Sequence, residues 1–183
     1  MLVNYLTNPF KRFITGHCVA SPSVVREYHH EWNFITVLRN PVDRFISEYI
    51  YNKFKKSEWA KVDLSIEVYL KSSVAHAKGV TIANYFSGLS VKELDNTKES
   101  TIVDLVLDNL NHFKSVGFVD DMANWSTSLS EKLGEKISFS NKNTSPNSSA
   151  FLAIKNDPAL LDKIKELCAL DLKIYDLAKI KFG

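Results

Sequence analysis

The stretch from Phe34 to Asn52, FITVLRNPVDRFISEYIYN, constrains the fold more than any other part of the sequence. Its first residues are apolar and rich in β-branched side chains, which favours a short buried strand. A helix start follows, because Asn40 is a suitable N-cap, Pro41 suits the first helical position, and Asp43 completes a start similar to a capping box. The sequence therefore predicts a strand that passes directly into a helix, with the boundary at Arg39 and Asn40.

A junction of this kind can bind an anion such as phosphate. Arg39 supplies a guanidinium, and the helix start supplies free backbone N–H groups and the positive end of the helix dipole. Further along the helix, Asp43, Ser47 and Tyr51 recur every four residues on one face. The Ser47 hydroxyl can then join Arg39 on one phosphate. The alternative is that Arg39 pairs with a carboxylate and that Ser47 is an ordinary helix residue.

The segment LRNPVDRFISEYIY resembles the 3′-phosphate-binding segment of the sulfotransferases that use 3′-phosphoadenosine-5′-phosphosulfate (PAPS), especially the carbohydrate branch. The pattern of that family is roughly T-x-L-R-[DN]-P-[VI]-[ED]-R-x-x-S-x-Y. Its Arg before the Asp/Asn-Pro pair and its Ser eight residues later bind the 3′-phosphate, and here these positions are Arg39 and Ser47. Because the match covers more than a dozen residues at fixed spacing, it is more specific than a lone glycine motif.

Weaker similarities to the same family follow in the expected order. A Gly-His pair that includes His17 precedes the segment, as in the heparan and dermatan 2-O-sulfotransferases. Residues 115–134 resemble the family's short strand and acidic-capped helix. Residues 166–182 resemble its last helix, with Asp171 and Tyr175 in a D-x-x-[LI]-Y pattern. The similarity thus extends over most of the chain.

The resemblance implies an α/β domain of the P-loop-NTPase-like sulfotransferase fold, with a short, mostly parallel sheet flanked by helices. The hydrophobic pattern predicts strands near residues 12–16, 34–38, 115–119 and 136–140. We expect one sulfotransferase-like domain over residues 1–183, because 183 residues with 45% hydrophobic content can bury one core but not two comfortable ones.

The resemblance also implies an activity, the transfer of a sulfuryl group from PAPS as co-substrate to a hydroxyl acceptor, expected to be a carbohydrate, with no metal required. His17 is the candidate catalytic base, as a His in a similar segment is in the 2-O-sulfotransferases. The predicted strand at 12–16 would place His17 at a strand end, where ligands of parallel sheets bind. Lys142, in the polar loop 141–149, is a further candidate nucleotide contact, because many relatives carry a Lys or Arg there.

One element of the family pattern is missing from the sequence. PAPS sulfotransferases hold the 5′-phosphosulfate in a loop of the type K-x-[GA]-[GS]-[TS]-S at the start of the domain, whereas the first glycine here is Gly16. We therefore expect a domain that is N-terminally incomplete, or whose first unit has degenerated to residues 1–10. The alternative function is a catalytically impaired or truncated remnant that binds nucleotide or a partner protein. A kinase-like domain is less favoured, since no G-x-x-x-x-G-K-[ST] occurs.

Composition bears on compartment and partners. A net charge of +2 is nearly balanced, which argues against nucleic acid as a partner. Cys18 and Cys168 lie far apart and outside metal-site patterns, so we expect two free thiols in the cytoplasm, with a disulfide as the alternative. The Golgi lumen is the alternative location if the chain is a fragment of a membrane-anchored enzyme. The sequence contains no run of about 18 apolar residues, so no membrane segment is predicted.

The basic run from Lys53 to Lys56 can contact a phosphate or an anionic sugar, or can simply complement the helix dipole.

Overall fold

The structure is a computed structural model that describes residues 2–139 and 147–183. Its two strands are β1 (Ile35–Leu38) and β2 (Ser115–Phe118), and most of the other described residues are helical. In chain order, the helices are α1 (Leu2–Leu6), α2 (Pro22–Tyr28), α3 (Pro41–Phe54), α4 (Ile66–Tyr69), α5 (Ser73–Gly79), α6 (Thr81–Ser87), α7 (Val91–Asp95), α8 (Glu99–Leu110), α9 (Met122–Leu133), α10 (Ser148–Lys155), α11 (Pro158–Leu167) and α12 (Ala169–Phe182).

The two strands form a small parallel sheet. Ile35 is level with Ser115, and Leu38 is level with Phe118. The side chains of Leu38 and Phe118 are buried in the same core. The predicted α/β character and the strands predicted near 34–38 and 115–119 are confirmed. Because parallel strands share their direction, Arg39 and the residues after Phe118 leave the sheet at the same edge.

The strand predicted at residues 12–16 is wrong, since this segment is irregular and largely exposed. Phe13 is 80% exposed, so the apolar pattern there is not buried against a core. A strand needs a neighbouring strand for its N–H and C=O groups, and sequence pattern alone does not supply one.

The strand predicted at 136–140 is also wrong for its described part, 136–139. There the segment is held by side chains of α9. The Ile137 N–H donates to the Ser130 hydroxyl at 3.0 Å, and the ring of Phe139 stacks on Trp125 with 5.2 Å between centroids. These contacts with a helix replace the hydrogen bonds of a strand ladder.

Helix α3 begins as the sequence predicts. The Asn40 Oδ1 accepts hydrogen bonds from the N–H groups of Val42 (3.1 Å) and Asp43 (3.2 Å), and Pro41 occupies the first helical position. The start is not a capping box, because the Asp43 carboxylate does not return a bond to Asn40. It accepts instead from the Lys155 ammonium of α10, at 2.7 Å.

Two groups of buried side chains hold the helices in place. The first surrounds the sheet and includes residues of α2, α6, α7, α8 and α12. The second surrounds α3 and joins it to α4, α5, α10 and α11. Helix α3 therefore leaves the sheet at Arg39 and packs in the second group, so the strand-to-helix junction lies where the two groups meet.

Asp171, near the start of α12, links the two groups. Its carboxylate is fully buried and accepts hydrogen bonds from the N–H groups of Ile82 (2.8 Å) and Ala83 (2.9 Å) in the first turn of α6. The Arg44 guanidinium of α3 lies 4.0 Å away. Burial raises the pKa of Asp171 to about 6, although the hydrogen bonds and Arg44 oppose the shift.

The chain ends in two helices, α11 and α12, which meet at Cys168. A Cβ at Gly79 would lie 2.2 Å from the Leu167 carbonyl oxygen, so only glycine allows α5 to approach the end of α11 this closely.

Both Cys18 and Cys168 are free thiols. None of the described helices combines the length and apolar character needed to cross a membrane.

Candidate anion-binding site

The first turn of α3 does not offer free N–H groups to a ligand, which corrects one part of the predicted anion site. Pro41 has no N–H, the N–H groups of Val42 and Asp43 donate to the Asn40 side chain, and the Arg44 N–H donates to the Asn40 carbonyl at 2.9 Å. The N-cap and an anion compete for the same donors, and here the N-cap occupies them. An anion at this junction must therefore be held by side chains and by the helix dipole.

Arg39 is the side chain best placed for that role. It is half-buried directly after β1, and within residues 2–139 and 147–183 it makes no ion pair. The second arginine of the motif is different, because Arg44 bonds to Glu48 at 3.0 Å and to the Lys78 carbonyl and lies near Asp171. The alternative to an anion site was that Arg39 pairs with a carboxylate. No such partner occurs in the described structure.

Ser47 lies on the predicted face of α3. The core face contains Phe45 and Ile46, both buried, whereas Ser47 is half-buried and Tyr51 is exposed. At about 1.5 Å per residue, Ser47 is roughly 9 Å along the helix from Pro41. Its side chain is therefore outside the core, on the outer side of the first two turns.

Lys155 is a charged neighbour of the junction that sequence reasoning missed. Its ammonium binds Asp43, one turn before Ser47, so the negative charge nearest to the candidate site is balanced. Lys155 is 112 residues away from Asp43 in the sequence, in a helix that begins within the predicted polar loop. No local pattern could have indicated the pairing.

A cavity of about 270 Å³ opens beside this ion pair. Its polar boundary includes Asn40, Asp43, Lys155 and Lys165, and its apolar wall is formed by the residues Val42, Leu161 and Leu172. The cavity adjoins the first turn of α3, and two lysines face it. Because Asp43 balances Lys155, Lys165 is the lysine of the lining whose charge is not offset by another lining residue.

The sheet edge next to Arg39 also carries Asp120, after β2. The next residue, Asp121, occupies the N-cap of α9 without a side-chain hydrogen bond. The Asp120 carboxylate accepts from the Tyr175 hydroxyl at 3.2 Å and from the Lys179 ammonium. The hydrogen bond from Lys179 lowers the pKa of Asp120 below its usual value. Helix α12 thus neutralises a carboxylate that would otherwise oppose anion binding at this edge.

The other two predicted site residues are not brought to the junction by described structure. His17 is exposed in an irregular segment, so the predicted strand end that was to place it at the sheet edge is wrong. Its role as a base stays a prediction. Lys142 lies outside the described residues, and its contact with nucleotide also stays a prediction.

Over the described ranges, no three His, Cys, Asp or Glu side chains are grouped so that they could hold a metal ion. No family model, curated protein or solved structure matches the chain. The functional assignment therefore depends on the residues at the junction and on the resemblance of their sequence.

Proposed function

We propose that the protein is a PAPS-dependent sulfotransferase that transfers a sulfuryl group to a hydroxyl, in particular of a carbohydrate. One observation carries the proposal. Between the end of β1 and the start of α3, Arg39 has no ion-pair partner in the described structure, whereas the terminal nitrogens of Arg44 donate to Glu48 and to the Lys78 carbonyl. In the family that the sequence resembles, the arginine at the position of Arg39 binds the 3′-phosphate. An unpaired, half-buried guanidinium is suited to that ligand.

The residues would have distinct roles in this reaction. Arg39 and Ser47 bind the 3′-phosphate and so orient the nucleotide. The acceptor oxygen attacks the sulfur while the bond from sulfur to the 5′-phosphate oxygen breaks, and His17 takes the proton from the attacking hydroxyl. Lys142 is proposed as a further nucleotide contact. Lys155 acts indirectly, because it keeps the Asp43 carboxylate from repelling the phosphate.

A noncatalytic nucleotide-binding module is the second candidate function. It is favoured by the capped first turn of α3, where the N–H groups that could hold a second phosphate are already used by Asn40. It is also favoured by the missing 5′-phosphosulfate loop. This function keeps the 3′-phosphate grip at Arg39 and omits the chemistry.

Titration calorimetry with two nucleotides tests the shared part of both functions. We expect 3′-phosphoadenosine-5′-phosphate to bind more tightly than adenosine 5′-phosphate, since only the former presents a 3′-phosphate. Charge-assisted hydrogen bonds contribute about 1.5 to 3 kcal/mol each, so Arg39→Ala should weaken binding about tenfold or more. Ser47→Ala should cost less, because a hydroxyl is a neutral donor.

The matched control is Arg26→Ala. Arg26 is an exposed arginine on α2, the helix that precedes β1, and it pairs with Asp108 on α8. Its removal should leave nucleotide affinity unchanged. Equal affinity for the two nucleotides, or equal effects of Arg39→Ala and Arg26→Ala, would show that the motif is only a scaffold here.

Turnover with labelled PAPS and a set of hydroxyl acceptors separates the enzyme from the binding module. The enzyme should release labelled product, and His17→Ala should abolish that product while the affinity for 3′-phosphoadenosine-5′-phosphate is kept. Nucleotide binding without turnover of any acceptor would select the noncatalytic module.

A further inference from the structure

The segment after α3, residues 55–64, folds back on the helix as a compact loop. The Val62 N–H donates to the Asn52 carbonyl at 3.0 Å. The Lys53 ammonium donates to the Leu64 carbonyl, also at 3.0 Å. Both bonds fix the returning end of the loop to the last turns of α3. The residues between them are therefore held out from the body of the domain in a defined position.

Trp59 lies at the tip of this loop and is 83% exposed. The next residue, Ala60, has a φ of 53°, and it is the one described residue other than glycine with a positive φ. That conformation is unfavourable for a side chain with a Cβ. The chain thus adopts an unfavourable backbone directly after the residue whose indole it displays to water, which points to a partner that covers the indole.

The end of α3 carries two further exposed aromatic side chains. Tyr51 is 59% exposed and Phe54 is 48% exposed. The Lys55 ammonium is 5.3 Å from the centre of the Trp59 ring and 5.9 Å from that of Tyr51, so these residues are neighbours. We call Tyr51, Phe54, Lys55, Lys56 and Trp59 the aromatic–lysine patch.

The patch and the residues around it carry a net positive charge. Residues 51–64 contain four lysines and two acidic residues, a net charge of +2 that equals the net charge of the whole protein. Glu58 pairs with Lys61 at 2.9 Å. Lys55 faces the aromatic rings and Lys56 is exposed, so positive charge borders the apolar side chains directly.

We propose that the aromatic–lysine patch docks the protein onto the surface of an anionic lipid bilayer. Trp and Tyr side chains favour the headgroup region, and lysines are attracted to anionic headgroups. A basic patch could also bind an anionic polysaccharide, but Phe54 favours the bilayer. A phenyl ring gains from entering the acyl boundary of a bilayer, whereas an anionic sugar chain offers it little apolar contact. Helix α3 is roughly 21 Å long, so a docked patch would leave Arg39, at its other end, free.

Vesicle flotation with the full chain tests this docking. We expect binding to vesicles of phosphatidylcholine with phosphatidylserine, and much weaker binding to pure phosphatidylcholine vesicles. Trp59→Ser should weaken the binding about tenfold by removing the inserted ring. The Lys55→Gln and Lys56→Gln substitutions should each weaken it about fivefold. In the wild type, tryptophan emission should shift to shorter wavelength on binding. Trp125 is buried and the half-buried Trp32 donates its indole N–H to the Leu6 carbonyl, so the exposed Trp59 is the indole expected to change its surroundings.

Ile180→Ser is the matched control, since Ile180 on α12 is also 83% exposed but lies outside the patch. It should leave vesicle binding and the emission shift unchanged. Failure to bind the anionic vesicles, or equal weakening by Trp59→Ser and Ile180→Ser, would overturn the proposal. Binding to heparin without binding to anionic vesicles would overturn it as well, because it would assign the patch to an anionic polysaccharide.

Discussion

The buried carboxylate of Asp171 makes the stability of the protein depend on pH in an unusual direction. Burial raises its pKa to about 6 in the folded state, from an ordinary value of 3.8. The folded state therefore holds the proton more tightly than the unfolded chain does. The stabilisation from this group is fully present below about pH 4 and is lost as the pH rises through about 6.

The size of the effect follows from the shift. A difference of about two pKa units corresponds to about 3 kcal/mol. The Cys168 thiol does not titrate in the same range, because burial raises its pKa to about 12. Asp171→Asn removes the titration but keeps the shape and one acceptor oxygen. The free energy of unfolding of the wild type, relative to this variant, should rise by about 3 kcal/mol as the pH falls from about 7 to about 4.

Urea denaturation of both proteins over this pH range measures the difference. Carboxylates with a lowered pKa, such as Asp120 and Glu93, act in the opposite direction, but they are common to both proteins and cancel. Asp176→Asn, an exposed position on the same helix, should show no comparable pH dependence relative to wild type. A difference between wild type and Asp171→Asn that is constant with pH, or that shrinks as the pH falls, would refute the reasoning.

Two further substitutions test the surroundings of the anion-binding junction. Asn40→Ala removes the acceptor that caps α3 and should lower the free energy of unfolding by about 1 kcal/mol in urea denaturation. Ser65→Ala, at an N-cap without a side-chain hydrogen bond, should cost clearly less, and equal losses would contradict the assigned cap. Lys155→Met leaves Asp43 unbalanced and should weaken the binding of 3′-phosphoadenosine-5′-phosphate about twofold to fivefold in calorimetry. Adding Asp43→Asn should restore the affinity, and a double variant as weak as the single one would rule out charge balance as the role of Lys155.

The parts of the fold that sequence predicted are those set by neighbouring residues. The start of α3 is determined within four residues, by an Asn that caps and a Pro that suits the first turn. The face of that helix outside the core follows from the spacing of Asp43, Ser47 and Tyr51, none of which is buried. Both features could be predicted because they depend little on the rest of the chain.

The failures involve contacts between distant parts of the chain. Residues 12–16 have a pattern typical of a strand, but Phe13 is exposed and no neighbouring strand pairs with them in the described structure. Lys155 could not be assigned to Asp43 because no local signal links them. The occupied N–H groups of α3 could have been foreseen, since an Asn at the N-cap uses the donors that an anion would need.

The separation of the two paired strands affects how the protein folds. Ile35 pairs with Ser115, which is 80 residues later, so forming the sheet requires the closure of a long loop. Such non-local pairing slows folding, whereas the bonds of Asn40 to Val42 and Asp43 need no distant residue. The helix that carries Ser47 can therefore form early, and the strand pairing that fixes Arg39 relative to the rest of the domain is completed late.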